Sequence, residues 1–498
     1  MKILMVSSEV FPFAKVGGLG DVIPHLSTAL SSRGHDVKIF MPRYYRIDRV
    51  LLDRHPAPLE IRLGEEQLWG ALYHSELPES DVDIWFLEHE GLFGRQGIYG
   101  DEQNRDFPDN IKRFAVLSKA AFSLCRQIQW FPDIIHSHDW ASGLVQTYLK
   151  SHEATGQFLE CAGVFSIHNI GYQGIFPADD LPVLGFGWED FHSLGLEYHQ
   201  KISTLKSALV CADQLTTVSP NYAREILAPE LGFGMDGVLR ERQSDLSGIL
   251  NGMDYDEWNP GRDQHIPYPY DVESLQNKAL NKNFVQQEAN LEISTRPPMI
   301  GIVSRLVSQK GFALLMGESG EHLRKICREL DLQMVILGTG EDWIEESIRQ
   351  VASEVPNLRA YIRYNEKMSH VIQAASDFFL MPSLYEPCGL TQMYALRYGT
   401  LPIVSPTGGL LDSVSDIIAN PGTGTGILIE GSGENGRDIT EESLFESISR
   451  AVSLWQNRRE DYVAAQKRGM AIRFSWDVAA LGYEEVYRNA IARRKTRK

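Results

Sequence analysis

The chain has only five cysteines in 498 residues, and no C-x-x-C pair. Cys125, Cys161, Cys211, Cys327 and Cys388 are scattered and odd in number. That argues against a disulfide framework and a structural zinc site, and it suits a reducing cytoplasm. Nothing approaches the ~18–20 uninterrupted apolar residues of a membrane span. The apolar start at Met1–Val6 is too short for a signal peptide and is soon followed by Glu9, so it reads as a first buried strand. Positive charge is scarce too. With 48 Lys and Arg against 66 Asp and Glu, the net charge of −18 repels nucleic acid and anionic lipid, so neither is an expected partner. A neutral polymer is indifferent to that charge, whereas a phosphate requires local cations. There is no internal repeat and no low-complexity tract.

What is present is a series of short apolar runs alternating with helical periodicity. At this length two domains are expected. In the first half the runs are 3–6, 37–41, 82–87, 134–136, 164–168 and 215–218; in the second they are 299–303, 334–337, 360–362, 378–381, 401–404 and 426–429. Such alternation predicts α/β domains with parallel sheets covered on both faces. Val22, Leu26, Ala29 and Leu30 predict a helix over 19–33, stopped by Gly34. A second helix is expected from Asp109-Asn110, a third over 271–291 and a last one from Ser475 to Ile491. Pro260, Gly261, Pro267 and Pro269 place the break between domains near residue 255. The tail 493–498 reads as a solvated basic end.

Five motifs fall at predicted strand ends, where open α/β sheets bind ligands. Lys15-Val16-Gly17-Gly18-Leu19 joins the first strand to the first helix, and its bare amides and lysine suit an anion. A tight turn with a surface lysine is the bland alternative. The spacing of this loop matches neither the dinucleotide nor the P-loop fingerprint, which weakens both readings. Ser304–Gly311 sets Arg305 and Lys310 in one loop, where two cations can hold a diphosphate and stabilise charge as a bond breaks. Glu386-Pro387-Cys388-Gly389-Leu390-Thr391-Gln392 places a carboxylate just before a helix start whose amides, from Gly389 to Thr391, are unsatisfied. Glu386 is then either a sugar ligand or a dipole-favoured helix-start residue.

His136-Ser137-His138-Asp139-Trp140 puts two histidines on one face of a strand. A metal site lacks a third ligand nearby in the sequence. Asp139 and Trp140 would suit a sugar, and a structural histidine pair competes with that reading. His168, in Ser166–Gly174, ends a strand and is either functional or a satisfied core residue. Gly97-Ile98-Tyr99-Gly100-Asp101 is a further cluster, and Leu250-Asn251-Gly252 reads as a turn.

Taken together these motifs resemble the bacterial glycogen synthase and plant starch synthase family, in the family's order and over essentially the whole chain; Phe474-Ser475-Trp476 matches as well. The resemblance implies the GT-B fold, two Rossmann-like domains facing each other across a deep cleft. It implies residues 1–255 on the glucan side, joined by a C-terminal helix at 475–498, and residues 256–474 on the nucleotide-sugar side. The implied reaction moves glucose from ADP-glucose to an α-1,4-glucan with retention, in the cytoplasm, with no metal and no cofactor.

By position, Lys15, Gly17 and Gly18 would bind the diphosphate with Arg305 and Lys310, and Gly389, Leu390 and Thr391 would give amides to phosphate. Tyr364 would lie on the adenine, Glu386 would hold the transferred glucose, and His168 would lie beside it. Asp139, Tyr99 and Glu9 would line the acceptor side, and Asn251 would sit near the leaving phosphate. Two positions depart from related patterns. Tyr394 stands where many retaining transferases of this fold carry a second glutamate, and Leu205-Lys206-Ser207-Ala208 replaces frequent glycines, for which a local packing change is expected. UDP-glucose as donor, a sugar-nucleotide 2-epimerase, a non-catalytic glucan-binding protein and a dehydrogenase are the competing readings.

Overall fold

The computed structural model describes residues 1–103, 105–433 and 436–496. The chain divides into two compact units, residues 1–252 with 475–498, and residues 253–474.

The first unit contains β1 (Lys2–Val6), β2 (Asp36–Pro42), β3 (Asp53–Arg54), β4 (Leu59–Leu63), β5 (Glu66–Glu76), β6 (Asp83–Glu88), β7 (Ile134–His138) and β8 (Ala162–Ile167). It continues with β9 (Ile175–Pro177), β10 (Glu197–Tyr198), β11 (Lys201–Ser203), β12 (Gln214–Thr217) and β13 (Leu246–Gly248). Among the described residues its main sheet runs β13-β12-β8-β7-β1-β2-β6-β5-β3, with β4 on β5. From β13 to β6 every pairing is parallel. The central parallel strands are buried, β1 wholly apolar over Ile3–Val6, while β7 and β12 also bury His136, His138, Thr216 and Thr217 and the edge strand β13 is half-buried.

The antiparallel edge β3–β5 falls where no strand is expected from long apolar runs. Its signal is period-2 alternation, Leu59, Ile61 and Leu63 inward against Glu60 and Arg62, turned at Gly64 with φ +57°. Strands β9, β10 and β11 form a separate small sheet.

The Leu19–Ser32 helix ends before Gly34, which adopts φ +87°, as the sequence predicts. The long C-terminal helix, Trp476–Thr496, packs on the Leu19–Ser32 helix and on β8. Glu484 ties the two helices together by accepting from Arg33 Nε at 2.6 Å and from His35 Nε2 at 3.1 Å. The basic tail is less solvated than the sequence suggests. Arg493 pairs with Asp245, and Arg494 Nε donates to Leu159 O at 3.1 Å, while Arg497 and Lys498 lie outside the described residues. Residues 205–208 sit in a regular helix, Thr204–Cys211, where Ser207 Oγ bonds Thr147 Oγ1 and donates to Leu194 O, each at 2.7 Å.

The second unit holds β14 (Met299–Val303), β15 (Gln333–Gly338), β16 (Leu358–Ile362), β17 (Phe378–Met381), β18 (Leu401–Val404) and β19 (Ile427–Leu428). They run in the order β16-β15-β14-β17-β18-β19, all parallel. The helix expected over 271–291 is shorter, Lys278–Glu288 after a 3-10 turn. Asp271 is the reason. Its carboxylate accepts from the amides of Glu273 and Ser274 and from the Ser274 hydroxyl, a local network that competes with helix.

Counting only the parallel strands in chain order, each unit reads 3-2-1-4-5-6, the first with one strand more. In such sheets the strand order reverses between strands 1 and 4, and the crevice beyond their carboxyl ends is where ligands bind. In the first unit that point lies between β1 and β7, and in the second between β14 and β17.

Candidate functional site

In the second unit the switch point is occupied by the expected residues. The loop after β14 carries Arg305 and Lys310, and the loop after β17 carries Glu386. Lys310 Nζ donates to Glu386 Oε2 at 2.5 Å, and Ser383 Oγ donates to the same oxygen at 3.0 Å. Glu386 is buried, and an unpaired buried carboxylate is costly, so the lysine and the hydroxyl satisfy it. Ser383 is not singled out by the sequence, although it stands at the same strand end. Arg305 is exposed and makes no ion pair among the described residues.

The loop is braced from below by Glu341, which accepts from Ser308 N at 2.9 Å and Ser308 Oγ at 3.0 Å. It is braced from above by Gly311, whose φ of +78° and approach to Pro382 O leave no room for a Cβ. The Thr391–Arg397 helix starts where expected. Among the described residues the N–H groups of Gly389, Leu390 and Thr391 bond to no other part of the chain. Three consecutive free amides, three residues beyond the Glu386 that Lys310 pairs with, suit an anion. Tyr364 stands in the loop after β16 and is 81% exposed.

In the first unit, Glu9 follows β1 and is buried. Its Oε2 accepts from Val16 N at 2.6 Å and Gly17 N at 3.0 Å, and its Oε1 accepts from Tyr99 OH at 2.6 Å. Burial raises the pKa of Glu9, with these three hydrogen bonds opposing the shift. Two amides of the glycine loop are therefore already held by a carboxylate, and the Gly18 amide is not. A Cβ built on Gly17 or Gly18 would meet nothing within 4 Å, and neither residue has positive φ. The protein's own packing therefore does not require glycine at either position. Lys15 Nζ donates to Asp21 Oδ1 at 2.6 Å.

Tyr99 is placed by a buried arginine that no sequence motif marks. Arg113 donates to Leu92 O (2.7 Å), Ile98 O (2.8 Å) and Asn110 Oδ1 (2.6 Å), and Asn110 Nδ2 donates to Tyr99 O at 2.7 Å. The rings of Phe93, Phe107 and Phe114 surround its guanidinium. Only the fold reveals this, because an arginine inside an amphipathic helix ordinarily reads as a surface residue.

Asp139 directly follows β7 and has φ +54°, a strained conformation for a residue with a Cβ. Its Oδ1 accepts from His168 N at 2.7 Å and Asn169 N at 3.3 Å, so it shapes the loop after β8. Burial pushes its pKa up to about 7. His138 Nδ1 lies 3.1 Å from His168 Nε2, and burial holds the pKa of His168 down to about 3, keeping it neutral. His136 is structural, bonded to Tyr487 OH at 2.9 Å and Ser166 Oγ at 2.7 Å. A third imidazole, that of His168, does stand near the pair, yet among the described residues no group of three His, Cys, Asp or Glu side chains could hold a metal ion.

The Trp140 ring is half-buried and packs against Tyr99, Phe114 and Phe176. The expected turn at Leu250-Asn251-Gly252 is absent, the segment being irregular. Gly252 is needed there because a Cβ would lie 2.6 Å from the Trp476 backbone nitrogen. Asn251 is buried, and its Oδ1 accepts no hydrogen bond among the described residues.

Comparison with known proteins adds an independent line. Residues 2–241 match the starch synthase catalytic domain model, and residues 284–444 match the model of glycosyl transferases group 1. A glycogen synthase from Treponema denticola is 47% identical over 99% of both chains. Glycogen synthase 1 from Geobacter sulfurreducens is 43% identical over 99% of this chain and 97% of its own. Among solved structures, the catalytic domain of starch synthase IV from Arabidopsis thaliana, bound to ADP and acarbose, superposes with a TM-score of 0.86 at 31% identity, covering 98% of this chain and 99% of that one. A sucrose-phosphate synthase from Thermosynechococcus elongatus shares the fold at 18% identity and a TM-score of 0.59, covering 99% of both chains. No helix among the described residues is long and apolar enough to cross a membrane.

Proposed function

The chain belongs to the glycogen and starch synthase family, and on that footing we propose that it transfers glucose from ADP-glucose to the non-reducing 4-hydroxyl of an α-1,4-glucan, retaining the α configuration and releasing ADP. The observation that carries this reading is the 47% identity to a glycogen synthase over 99% of both chains.

The second unit is assigned to the donor. Arg305, Lys310 and the amides of Gly389, Leu390 and Thr391 take the diphosphate, and Tyr364 takes the adenine face. Lys15, Gly17 and Gly18 are assigned to the same phosphates. Glu386 binds hydroxyls of the transferred glucose, and His168 lies beside that sugar. Asp139, Tyr99 and Glu9 serve the acceptor, and Asn251 is assigned to the vicinity of the leaving phosphate.

Glu386 is already paired with Lys310, which suits a binding carboxylate better than a nucleophile. The reaction is therefore written as same-face attack. The C1–O bond to ADP breaks through an oxocarbenium-like state, the acceptor 4-hydroxyl bonds to C1, and its proton passes to the departing phosphate. Arg305 and Lys310 stabilise the charge that grows on ADP. Water must be kept out, since it would hydrolyse the same donor.

The test is transfer of labelled glucose from ADP-glucose into ethanol-precipitable polymer on a glycogen primer, with UDP-glucose in parallel. Faster incorporation from ADP-glucose is expected. Free glucose without polymer, or release of an epimerised sugar, would overturn the reading.

A further inference from the structure

Tyr394 follows Glu386 by eight residues, and its ring lies flat on that of Trp258, with centroids 3.8 Å apart and planes 4° from parallel. The opposite face of Trp258 is covered by His370, again at 3.8 Å, with planes 10° apart. The three rings come from three places. His370 belongs to the Glu366–Ala375 helix, Tyr394 to the Thr391–Arg397 helix, and Trp258 to the irregular segment that opens the second unit.

Two further ties join that segment to the same stretch of chain. Arg397 Nη2 donates to Asn259 Oδ1 at 3.0 Å, and Tyr398 OH donates to Asp263 Oδ2 at 2.5 Å. Asp263 Oδ2 also accepts from His370 Nδ1 at 2.9 Å. Trp258, Asn259 and Asp263 thus grip positions 394, 397 and 398, successive positions along one face of the helix.

The Thr391–Arg397 helix has seven residues, too few to hold a direction of its own. Its orientation comes from what it docks on. Its N-terminus at Thr391, with Leu390 and Gly389 just before it, carries three free amides, and such donors work only when aimed to within a fraction of an ångström.

We propose that Trp258 and Tyr394 are positioning residues for the donor: their stacked rings set the height of the Thr391–Arg397 helix, and so aim its free amides at the diphosphate. This rests on the reading of the second unit as the donor side. It also explains an aromatic ring at 394. A carboxylate there would be pressed against the negative face of an indole.

The experiment uses the full-length protein with Tyr394→Leu, Trp258→Leu and Tyr394→Phe. Tyr394 is half-buried, so Tyr394→Leu is expected to fold even where Trp258→Leu does not. Removing the stack should weaken ADP binding, measured by calorimetry, about five- to tenfold and raise the KM for ADP-glucose by a similar factor. The KM for glycogen should stay put, and Tyr394→Phe, which keeps the ring, should restore the affinity. A folded Tyr394→Leu protein that binds ADP within about twofold of the parent would overturn the inference, as would an equal rise in the glycogen KM. A parent protein that binds no ADP at all would instead sink the donor assignment itself.

Discussion

Lys310 Nζ stands 2.5 Å from Glu386 Oε2, joining two loops that leave adjacent parallel strands at the point where the strand order reverses. The pair explains how a carboxylate can be buried beside a phosphate-binding loop. It also makes Lys310 doubly important, because the ammonium that is to meet ADP also neutralises Glu386. Lys310→Ala should lower kcat about 10²–10³-fold in the glucose-incorporation assay. A loss of less than about threefold would contradict its assignment to the diphosphate.

Gly17 and Gly311 make a matched contrast. Gly17 has open space around its Cβ position and no positive φ, so Gly17→Ala should leave Tm unchanged yet raise the KM for ADP-glucose. Gly311 has φ +78° and a carbonyl in the way, so Gly311→Ala should destabilise the second unit by about 1–3 kcal/mol. Calorimetric melting beside donor kinetics separates the two effects. Equal loss of Tm in both variants would remove the argument that position 17 is bare for a ligand's sake.

Asp139 carries a pH signature. Its folded pKa of about 7 lies above the ordinary carboxylate value because burial penalises the charge. The folded state therefore holds this proton more tightly than the unfolded chain does. The stabilisation is fully present below about pH 4 and is lost as pH rises through about 7. Asp139→Asn keeps an oxygen for the amides of His168 and Asn169 and cannot ionise. Its Tm relative to the parent should rise by about 2–4 °C between pH 5 and pH 8, while its activity falls. A pH-independent difference in melting temperature would show that burial does not govern this carboxyl.

Glu9 bridges the glycine loop and Tyr99, so its two simplest replacements should differ. In Glu9→Gln the amide oxygen can still accept from Val16 and Gly17, and its NH2 can donate to the Tyr99 hydroxyl. Stability should be nearly unchanged. Glu9→Ala orphans two loop amides and should cost about 1–3 kcal/mol for each that stays dry. Both variants should raise the KM for glycogen. Denaturant melts and glycogen saturation curves check the two parts separately.

Much of this protein was readable without coordinates. Most parallel strands are legible as short apolar runs, since a strand buried on both faces tolerates little else, although the edge strand β13 (Leu246–Gly248) is not, and Gly34 marks the end of the first helix. The loops bearing Lys15, Arg305, Lys310 and Glu386 could be placed at strand ends, because βα connections are short and local. The β3–β5 edge is less legible, because its residues alternate between apolar and polar instead of forming a continuous apolar run.

Partnership between distant residues was not readable. Nothing local says that Glu9 holds the amides of Val16 and Gly17 while taking the Tyr99 hydroxyl 90 residues away, or that Lys310 neutralises Glu386 across 76. Nor does periodicity reveal that Arg113 is a buried anchor, that Trp140 packs against three aromatic rings, or that Tyr394 lies on Trp258. Sequence pattern reports which side chains want to be buried and how the backbone wants to run. Which buried polar groups satisfy one another is decided only when packing brings separate strand ends together, because an unmet charge or donor inside the protein must find its partner wherever the fold supplies one.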